Sequence, residues 1–225
     1  MTLNPKWTAT IDLALKDTSW DDHDKRIQAE VDDYKKRLSL IVSDWKIFKA
    51  QIWTETGAES SQWSKRPMQI GNPTDTALPV LKAHRENSDL IMSAQVMKDL
   101  KAGKSVDDAT FNIQLGLAYA YTRLATFSSV VLDPKFLEYT VVSGDSISNI
   151  AQKIGTTQKI LLDLNPGSGK MIHPKQKLKY QKAAIQPTSI SVTPQRLQDF
   201  YNGNGDPNYA DKIKYCQGVI AKLKR

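Results

Sequence analysis

The sequence predicts a mainly α-helical protein with a small strand–helix–helix–strand module between its helical segments. Three features predict this architecture: an apolar repeat of helical period between residues 38 and 52, a second helical pattern over 105–127, and a compact β-α-α-β pattern over 138–182. The chain has 225 residues, enough for one large domain or two smaller ones.

The first long helix is predicted over residues 21–55. Acidic residues at its start suit the positive end of a helix dipole. Its apolar positions recur in steps of 3, 4, 3 and 4, which is one face of an α-helix: Leu38, Ile41, Trp45, Phe48 and Ile52. The next step of three falls on Glu55, and Gly57 then predicts the end of the helix.

Glu55 therefore continues a buried stripe at the C-terminal end of a helix. Desolvation and the negative end of the dipole both disfavour a carboxylate there, so its pKa is expected to rise. A carboxyl group of raised pKa in a cleft suits a general acid near neutral pH. Periodicity alone leaves a second interpretation open, in which the helix end frays and Glu55 is a solvated polar cap.

The remaining elements follow from caps, breakers and composition. Residues 57–78 are predicted as loop, and the helix over 105–127 is predicted to be capped by Ser105. Gly116 lies inside that helix, where glycine costs about 1 kcal/mol relative to alanine, which indicates close packing. The stretch after residue 128 reads as a connector and 183–194 as a Pro/Ser/Thr linker, before helical segments with a Gly/Asn-rich loop at 200–209.

Composition limits the classes of function. Hydrophobic residues make up 40% and charged residues 24%, which is typical of a globular protein, and no apolar run is long enough for a membrane span. The single Cys216 excludes an internal disulfide, and the scattered His23, His84 and His173 lack metal-ligand spacing. We therefore expect no metal and no cofactor.

The net charge of +7 suits three kinds of partner: a nucleic acid, an anionic membrane or another acidic polymer. The basic residues do not combine with aromatic residues in a nucleic-acid motif, so we expect no nucleic acid partner. Residues 138–182 hold seven lysines and three acids, a charge of +4, which is more than half of the excess.

The module resembles a LysM domain through "YTVVSGDSISNIAQKIGTT" at 139–157, "LLDLNP" at 161–166 and "IHPKQKLK" at 172–179. Lys175 departs from the family, which usually has glycine in that turn. The resemblance implies a groove for N-acetylglucosamine-containing glycans, mainly peptidoglycan and chitin. By position, the groove residues are Gly144, Asp145, Ser146, Ile147, Asn165, Pro166, Gly167, Met171 and Ile172.

The flanking sequence resembles lytic transglycosylases and goose-type lysozymes in three blocks. They are "IWTETGAESSQWSKRPMQIGN", "NIQLGLAYAY" at 112–121 and "FYNGNGDPNYADKIKYC" at 200–216. Thr56 replaces the family's serine, Arg66-Pro67 its Gly-Leu, and Phe200 its alanine. The third block follows the LysM module, so the resemblance implies a lysozyme-like domain over 1–136 and 184–225, interrupted by the module at 137–183.

The second resemblance also implies a mechanism. Glu55 would protonate the glycosidic oxygen between N-acetylmuramic acid and N-acetylglucosamine, then take a proton from the muramic 6-hydroxyl to close an anhydro ring. Tyr201 would hydrogen-bond Glu55 or the substrate's acetamido group. The substrate-binding residues would be Met68, Gln69, Asn202 and Tyr119. Glu59 and Asp75 are interpreted as solvated loop residues rather than as the second carboxylate of an ordinary glycosidase.

Two alternatives remain open: a muramidase that hydrolyses with water, and a non-catalytic cell-wall-binding protein on a lysozyme scaffold. The N-terminal residues do not resemble a secretory signal peptide. We therefore expect synthesis in the cytoplasm and action in the periplasm or cell wall. Delivery would use a dedicated apparatus such as type VI secretion, or phage release. A secreted antibacterial effector would have a periplasmic immunity protein as a further partner.

Overall fold

The computed structural model describes residues 3–38, 44–203 and 205–223. The chain divides into two compact units. The first combines Met1–Ala125 with Ser189–Arg225, and the second, Thr126–Thr188, lies between these two stretches in the sequence.

The first unit is built of helices. Short 3₁₀ turns lie at Leu13–Leu15, Thr18–Asp21 and Arg85–Asn87, and a π-helical turn at Leu197–Tyr201. The α-helices are α1 (Pro5–Asp12), α2 (Asp24–Leu38), α3 (Lys46–Glu55), α4 (Ala77–Lys82), α5 (Ser88–Ile91), α6 (Ala94–Lys101) and α7 (Ala109–Leu124). The second unit contributes α8 and α9, given below, and the first resumes with α10 (Pro194–Arg196) and α11 (Tyr209–Ile220).

The prediction of one helix over residues 21–55 is wrong. The structure has α2 and α3 instead, and Asp44 and Trp45 precede the second helix without belonging to it. Ile41, one position of the predicted apolar repeat, lies outside the described residues.

Helix α3 is buried on all its faces, from Ile47 to Trp53. An all-round buried helix belongs to the centre of a domain, so the one-sided amphipathic pattern predicted from the sequence understates its burial. The polar members of α3 need partners there. Lys49, only 3% exposed, donates to Asp21 at 2.5 Å and to Asp24 at 2.6 Å. The acidic residues read as a helix start thus neutralise a buried lysine.

Helix α7 is the second central helix, and its glycine has the predicted packing role. A Cβ atom at Gly116 would lie 2.5 Å from Cβ of Met68, so only glycine lets the loop before α4 come this close. The cap differs from the prediction. Asp108, not Ser105, accepts the N–H of Phe111 at 2.7 Å, because the helix begins at Ala109.

Two strands pair in an antiparallel sheet, and nearly all of their residues belong to the second unit: β1 (Ala125–Thr140) and β2 (Lys177–Ile190). Helices α8 (Ile147–Ile154) and α9 (Gln158–Leu164) lie between them in the chain. The predicted connector and linker are therefore strands, and the expected boundaries near 137 and 183 fall inside them. Pro134 and Pro187, which suggested loops, lie within these paired strands, and the carbonyl of Pro134 accepts the side-chain amide of Gln181 at 2.7 Å.

Strands and helices of the second unit enclose a small core. Its buried members are Val141, Ile150, Ala151, Ile154, Leu161 and Leu178. Lys175 has φ +71°, in the left-handed region that favours glycine, and its N–H donates to the carbonyl of Val141 at 2.8 Å. This explains why a glycine is expected in that turn. In the described part of the chain, no helix has the length and apolar character to cross a membrane.

Candidate functional site

A cavity of about 440 Å³ opens beside the end of α3 in the first unit. Six residues that the sequence nominated line this one cavity: Glu55, Met68, Gln69, Tyr119, Tyr201 and Asn202. They come from three separated stretches of the chain, so the fold brings together the three blocks on which the resemblance rests. We call this space the Glu55 cavity.

Glu55 is the last residue of α3 and is partly buried. Burial raises the pKa of its carboxyl to about 7, and the nearby Asp206 and Asp75 act in the same direction. A hydrogen bond from Tyr209 and the charge of Lys212 oppose the rise. Near neutral pH the carboxyl is therefore present in both its acid and its base form. A group that first donates and then accepts a proton needs a pKa in this range.

Tyr209 is the hydroxyl partner of Glu55, and the sequence analysis missed it. Its phenol donates to Oε1 of Glu55, from the first turn of α11, which packs along α3. Tyr209 lies in the third block, in "DPNYADKIKY", but the resemblance implies a role only for Tyr201, near the start of the Gly/Asn-rich loop. The helix register of α11 against α3 decides between the two, and the sequence does not reveal it.

Gln51 lies behind Tyr209, one helical turn before Glu55 on α3. Its side chain is fully buried, and among the described residues neither amide atom has a partner of hydrogen-bond geometry. Burial, together with Glu55 and Tyr201, raises the pKa of Tyr209 well above its ordinary value, whereas a side-chain contact from Gln51 acts in the opposite direction. A buried amide thus faces the phenol that holds the candidate acid.

Tyr201 does not bond to Glu55, contrary to one of its two predicted roles. Its hydroxyl donates to the carbonyl of Met68 at 3.4 Å, and its ring stands edge-on to Tyr119 with centroids 5.5 Å apart. Burial and the nearby carboxyls of Glu55 and Asp75 raise the pKa of Tyr201 well above its ordinary value. The two rings form an aromatic wall of the cavity, where a sugar face can pack.

The Met68–Gln69 segment is fixed from two sides. The N–H of Met68 donates to Oδ1 of Asn112 at 3.0 Å, and the Asn112 amide donates to the carbonyls of Ile70 at 2.9 Å and Val106 at 3.0 Å. Gln69 has φ +56°, and its side chain donates to the backbone carbonyl of Glu55. The end of α3 and the loop that lines the cavity are therefore one hydrogen-bonded assembly.

Asn202 holds the other loop of the cavity. Its N–H donates to the carbonyl of Leu197 at 2.9 Å, the five-residue step of a π-turn, and its Oδ1 accepts the N–H of Asp206 at 2.7 Å. Such turns change the direction of side chains that follow them and are frequent at functional sites. The turn places both Tyr201 and Asn202 at the cavity, while Asn202 supports the loop.

The interpretation of Asp75 as a solvated loop residue is wrong. Asp75 lines the cavity and accepts three backbone N–H groups, from Gly71 at 2.7 Å, Ala77 at 2.8 Å and Leu78 at 3.1 Å. Both carboxylate oxygens thus hold the loop and the start of α4. Glu59 is exposed and does not line the cavity.

The departures from the family blocks have structural roles. The hydroxyl of Thr56 donates to the carbonyl of Pro67, which ties the end of α3 to the loop. Arg66 donates to Asp107, to the carbonyl of Gly71 at 2.8 Å and to Asn72 at 3.3 Å. Where the family has a flexible glycine, this chain therefore has an arginine whose hydrogen bonds hold the loop in place.

In the second unit, several predicted groove residues hold the turns. Oδ2 of Asp145 accepts the N–H of Val142 and the hydroxyl of Tyr139, both at 2.9 Å, and Ser146 caps α8. The backbone bond from Val142 and the Tyr139 bond lower the pKa of Asp145. Its side chain therefore shapes the turn around Gly144.

The opposite side of the predicted groove also contains residues that hold the fold and residues that are exposed. The Asn165 side chain donates to the carbonyls of Leu161 and Lys179, both at 2.7 Å, and accepts the N–H of Lys179 at 2.9 Å. Ile147 and Ile172 pack partly against the core, while Pro166 and Gly167 are exposed and Met171 is 66% exposed. Met171 is thus the apolar side chain most available to a ligand.

The histidines and the cysteine stay apart from the cavity. His23 bonds the carbonyl of Trp63 at 2.9 Å, and burial lowers its pKa. His84 and His173 are exposed. Cys216 is buried, which raises the pKa of its thiol to about 12. Within the described residues, no cluster of histidine, cysteine and acidic side chains could hold a metal ion.

Comparison with known families matches residues 139–180 to the LysM domain. The second unit therefore contains a LysM domain, a module that implies peptidoglycan binding. The predicted module is confirmed at this level, while the match leaves the first unit unassigned.

Two curated relatives align over the LysM region. N-acetylmuramoyl-L-alanine amidase sle1 of Staphylococcus saprophyticus is 49% identical over 51 residues, and the protein of the same name from Staphylococcus aureus is 46% identical over 55 residues. The alignments cover 23% and 24% of this chain and 16% of each relative. No solved structure shows significant similarity to the chain.

Proposed function

We propose that this protein binds peptidoglycan through its LysM domain and cleaves the glycan strand in the Glu55 cavity, as a lytic transglycosylase. The observation that carries the proposal is a carboxyl of pKa about 7 at the cavity, hydrogen-bonded by a buried phenol. The bond cleaved would be the β-1,4 link from N-acetylmuramic acid to N-acetylglucosamine. The relatives, named as cell-wall amidases, support peptidoglycan as the shared polymer.

The catalytic cycle uses one carboxyl twice. Protonated Glu55 donates its proton to the glycosidic oxygen as the C1–O bond breaks, and the substrate's acetamido group stabilises the cationic sugar. The resulting carboxylate is stabilised by the Tyr209 hydroxyl. It then takes the proton of the muramic 6-hydroxyl as that oxygen attacks C1, so the anhydro product forms without water and Glu55 regains its proton.

The hydrogen bonds that Asp75 accepts favour this single-carboxyl mechanism. An ordinary glycosidase needs a second carboxyl free to act on water or on the sugar. Asp75 lines the same cavity, but three backbone N–H groups already occupy its oxygens. The loop and the first turn of α4 would lose their support if Asp75 rotated towards a substrate.

Hydrolysis is the second candidate function. The presence of a second carboxyl, that of Asp75, in the cavity lining favours it. If the loop rearranged on binding, Asp75 would be the one other carboxyl of the described cavity lining available to activate water. Mass spectrometry of digested sacculi separates the two reactions. Anhydro-muropeptides support transglycosylation, whereas reducing-end products would establish hydrolysis.

The route to the wall stays a prediction. An antibacterial effector, exported by a type VI apparatus and neutralised in the producer by a periplasmic immunity protein, would kill cells when directed to the periplasm. Periplasmic expression with and without the neighbouring genes tests this idea. Harmless expression in the absence of those genes would contradict it.

A further inference from the structure

A second, cationic cleft lies at the other end of α4 from the Glu55 cavity. It has a volume of about 700 Å³ and is lined by Lys82, His84, Met97, Lys98, Leu100 and Lys101. We call it the basic cleft. Thr76 and Ala77, at the start of α4, line the Glu55 cavity, whereas Lys82 ends the helix. One short helix therefore connects the two cavities.

Among the described residues, the three lysines of the basic cleft have no carboxylate partner. Lys82, Lys98 and Lys101 are exposed, and none forms an ion pair in the described part of the chain. No acidic residue lines the cleft. Because like charges held on one surface repel, this arrangement is stabilised when an anion lies between them.

Two acidic residues on the neighbouring elements are occupied elsewhere, and Asp89 on α5 is exposed and does not line the cleft. Asp99, between Lys98 and Lys101 on α6, accepts from Gln95 at 2.6 Å and pairs with Lys104 at 3.9 Å. Glu86 pairs with Arg123 at 2.7 Å. These contacts hold two carboxylates in other interactions, so the cleft keeps its positive charge.

The turn that bears His84 is strained. His84, Glu86 and Asn87 have φ of 51°, 58° and 59°, in the left-handed region, although none is glycine. Residues other than glycine adopt this region infrequently, and such backbone is concentrated at binding and catalytic sites. The turn follows Lys82 directly and places His84 in the lining of the cleft.

The spacing of the two cavities matches a short peptide. From Ala77 to Lys82 a helix rises about 8 Å along its axis. An extended peptide covers about 3.3–3.6 Å per residue, so two or three residues span this distance. In peptidoglycan, a peptide with free carboxylates and small apolar side chains hangs from the lactyl group of each stem-bearing muramic acid.

We propose that the basic cleft binds the carboxylates of the peptide stem on a muramic acid whose strand occupies the Glu55 cavity. The lysines face the carboxylates, and Met97 and Leu100 contact the methyl groups of the stem. This inference rests on the proposed function and extends it, since it makes peptide-bearing strands, rather than bare glycan, the preferred substrate.

The test compares two ligands and two sets of substitutions in the full-length chain. The ligands are soluble peptidoglycan strands with their stems and the same strands after an amidase has removed the stems. The cleft variant carries Lys82→Gln, Lys98→Gln and Lys101→Gln. The control carries Lys6→Gln, Lys16→Gln and Lys36→Gln, three exposed lysines outside the cleft that lose the same charge. Both sets are made with Glu55→Gln so that the strands stay intact.

The expected result is about five- to tenfold weaker binding of stem-bearing strands by the cleft variant at low salt, since each exposed pair is weak. The difference should vanish near 1 M salt, where the screening length falls to about 3 Å. Binding of stem-free strands should not change, because the LysM domain contributes equally in all variants.

Equal losses in the cleft and control variants, or equal losses on both ligands, would overturn the inference. The readout is binding by a chain without Glu55, so it does not depend on catalysis. Failure of the wild-type chain to cut strands would overturn the proposed function instead.

Discussion

The phenol of Tyr209 donates a hydrogen bond to Oε1 of Glu55, although 154 positions separate the two residues in the chain. The contact joins the end of α3 to the start of α11. It makes a buried carboxyl compatible with an anionic form, since a donated hydrogen bond stabilises the charge that burial penalises. This hydrogen bond and the charge of Lys212 both oppose the effect of burial, so the pKa of Glu55 is about 7 and not higher.

Replacing Glu55 with glutamine should stabilise the protein in a pH-dependent way. The folded-state pKa is raised from 4.5 to about 7, so the wild-type fold is most favoured below pH 4.5 and loses stability as pH rises through 7. Glutamine stays neutral. We expect Glu55→Gln to unfold like wild type near pH 4.5 and to be about 3 kcal/mol more stable above pH 7. Thermal unfolding at both pH values measures this.

The exposed carboxyl at position 59 provides the control for that experiment. Glu59→Gln changes the same functional group outside the cavity, and its pH dependence of unfolding should follow wild type. A Glu55→Gln protein with no extra stability at pH 8 would show that the carboxyl is solvated, as the frayed-helix interpretation holds.

Tyr209→Phe should raise the pKa of Glu55 and slow cleavage. The variant loses the hydrogen bond that lowers this pKa, so the ¹³C chemical shift of the carboxyl should titrate at higher pH. Turnover should fall about 10- to 100-fold, since a hydrogen bond to a charged group contributes about 1.5–3 kcal/mol. Tyr201→Phe is the matched phenol change, and it should leave the Glu55 titration in place because Tyr201 bonds Met68.

Gln51→Met tests whether the buried amide acts through Tyr209. Methionine has a similar length and removes the buried amide together with its contact to Tyr209. Because the Gln51 contact lowers the pKa of Tyr209, its loss makes the phenol a weaker donor, and the pKa of Glu55 should rise. In a Tyr209→Phe background, Gln51→Met should not change the pKa of Glu55 further. If it raises that pKa by the same amount as in the wild-type background, Gln51 acts by another route.

Gly116→Ala should destabilise the first unit by about 1–3 kcal/mol, because the new Cβ atom would lie 2.5 Å from Cβ of Met68. Gly218→Ala is the control on α11. No neighbouring atom lies within 4 Å of a Cβ there, so alanine should stabilise the helix by about 0.5–1 kcal/mol. Denaturant unfolding of the two variants should therefore show shifts of opposite sign.

The sequence predicts those parts of the site that depend on local pattern. The step of three that places Glu55 on the buried stripe needs only the period of a helix, and the packing role of Gly116 follows from its position in an apolar face. The N-terminal caps of α8 and α9 are also local, since Ser146 and Thr157 each accept a backbone N–H three residues later.

The parts that were missed depend on contacts distant in sequence. Tyr209 and Tyr201 are both plausible partners of Glu55 until α11 is seen against α3. The strands around Pro134 look like connectors because proline and serine are turn residues, yet the partner strand lies some 50 positions later and supplies the pairing. Asp75 resembles any loop carboxylate until the N–H groups of Gly71, Ala77 and Leu78 are seen around it.

The most direct test of the central claim is muropeptide analysis of sacculi treated with the wild-type protein and with Glu55→Gln. The account predicts anhydro-muropeptides from the wild type and no release above background from the variant, with binding to the sacculi retained by both through the LysM domain. Equal release of products by the two proteins would contradict the assignment of Glu55 as the proton donor.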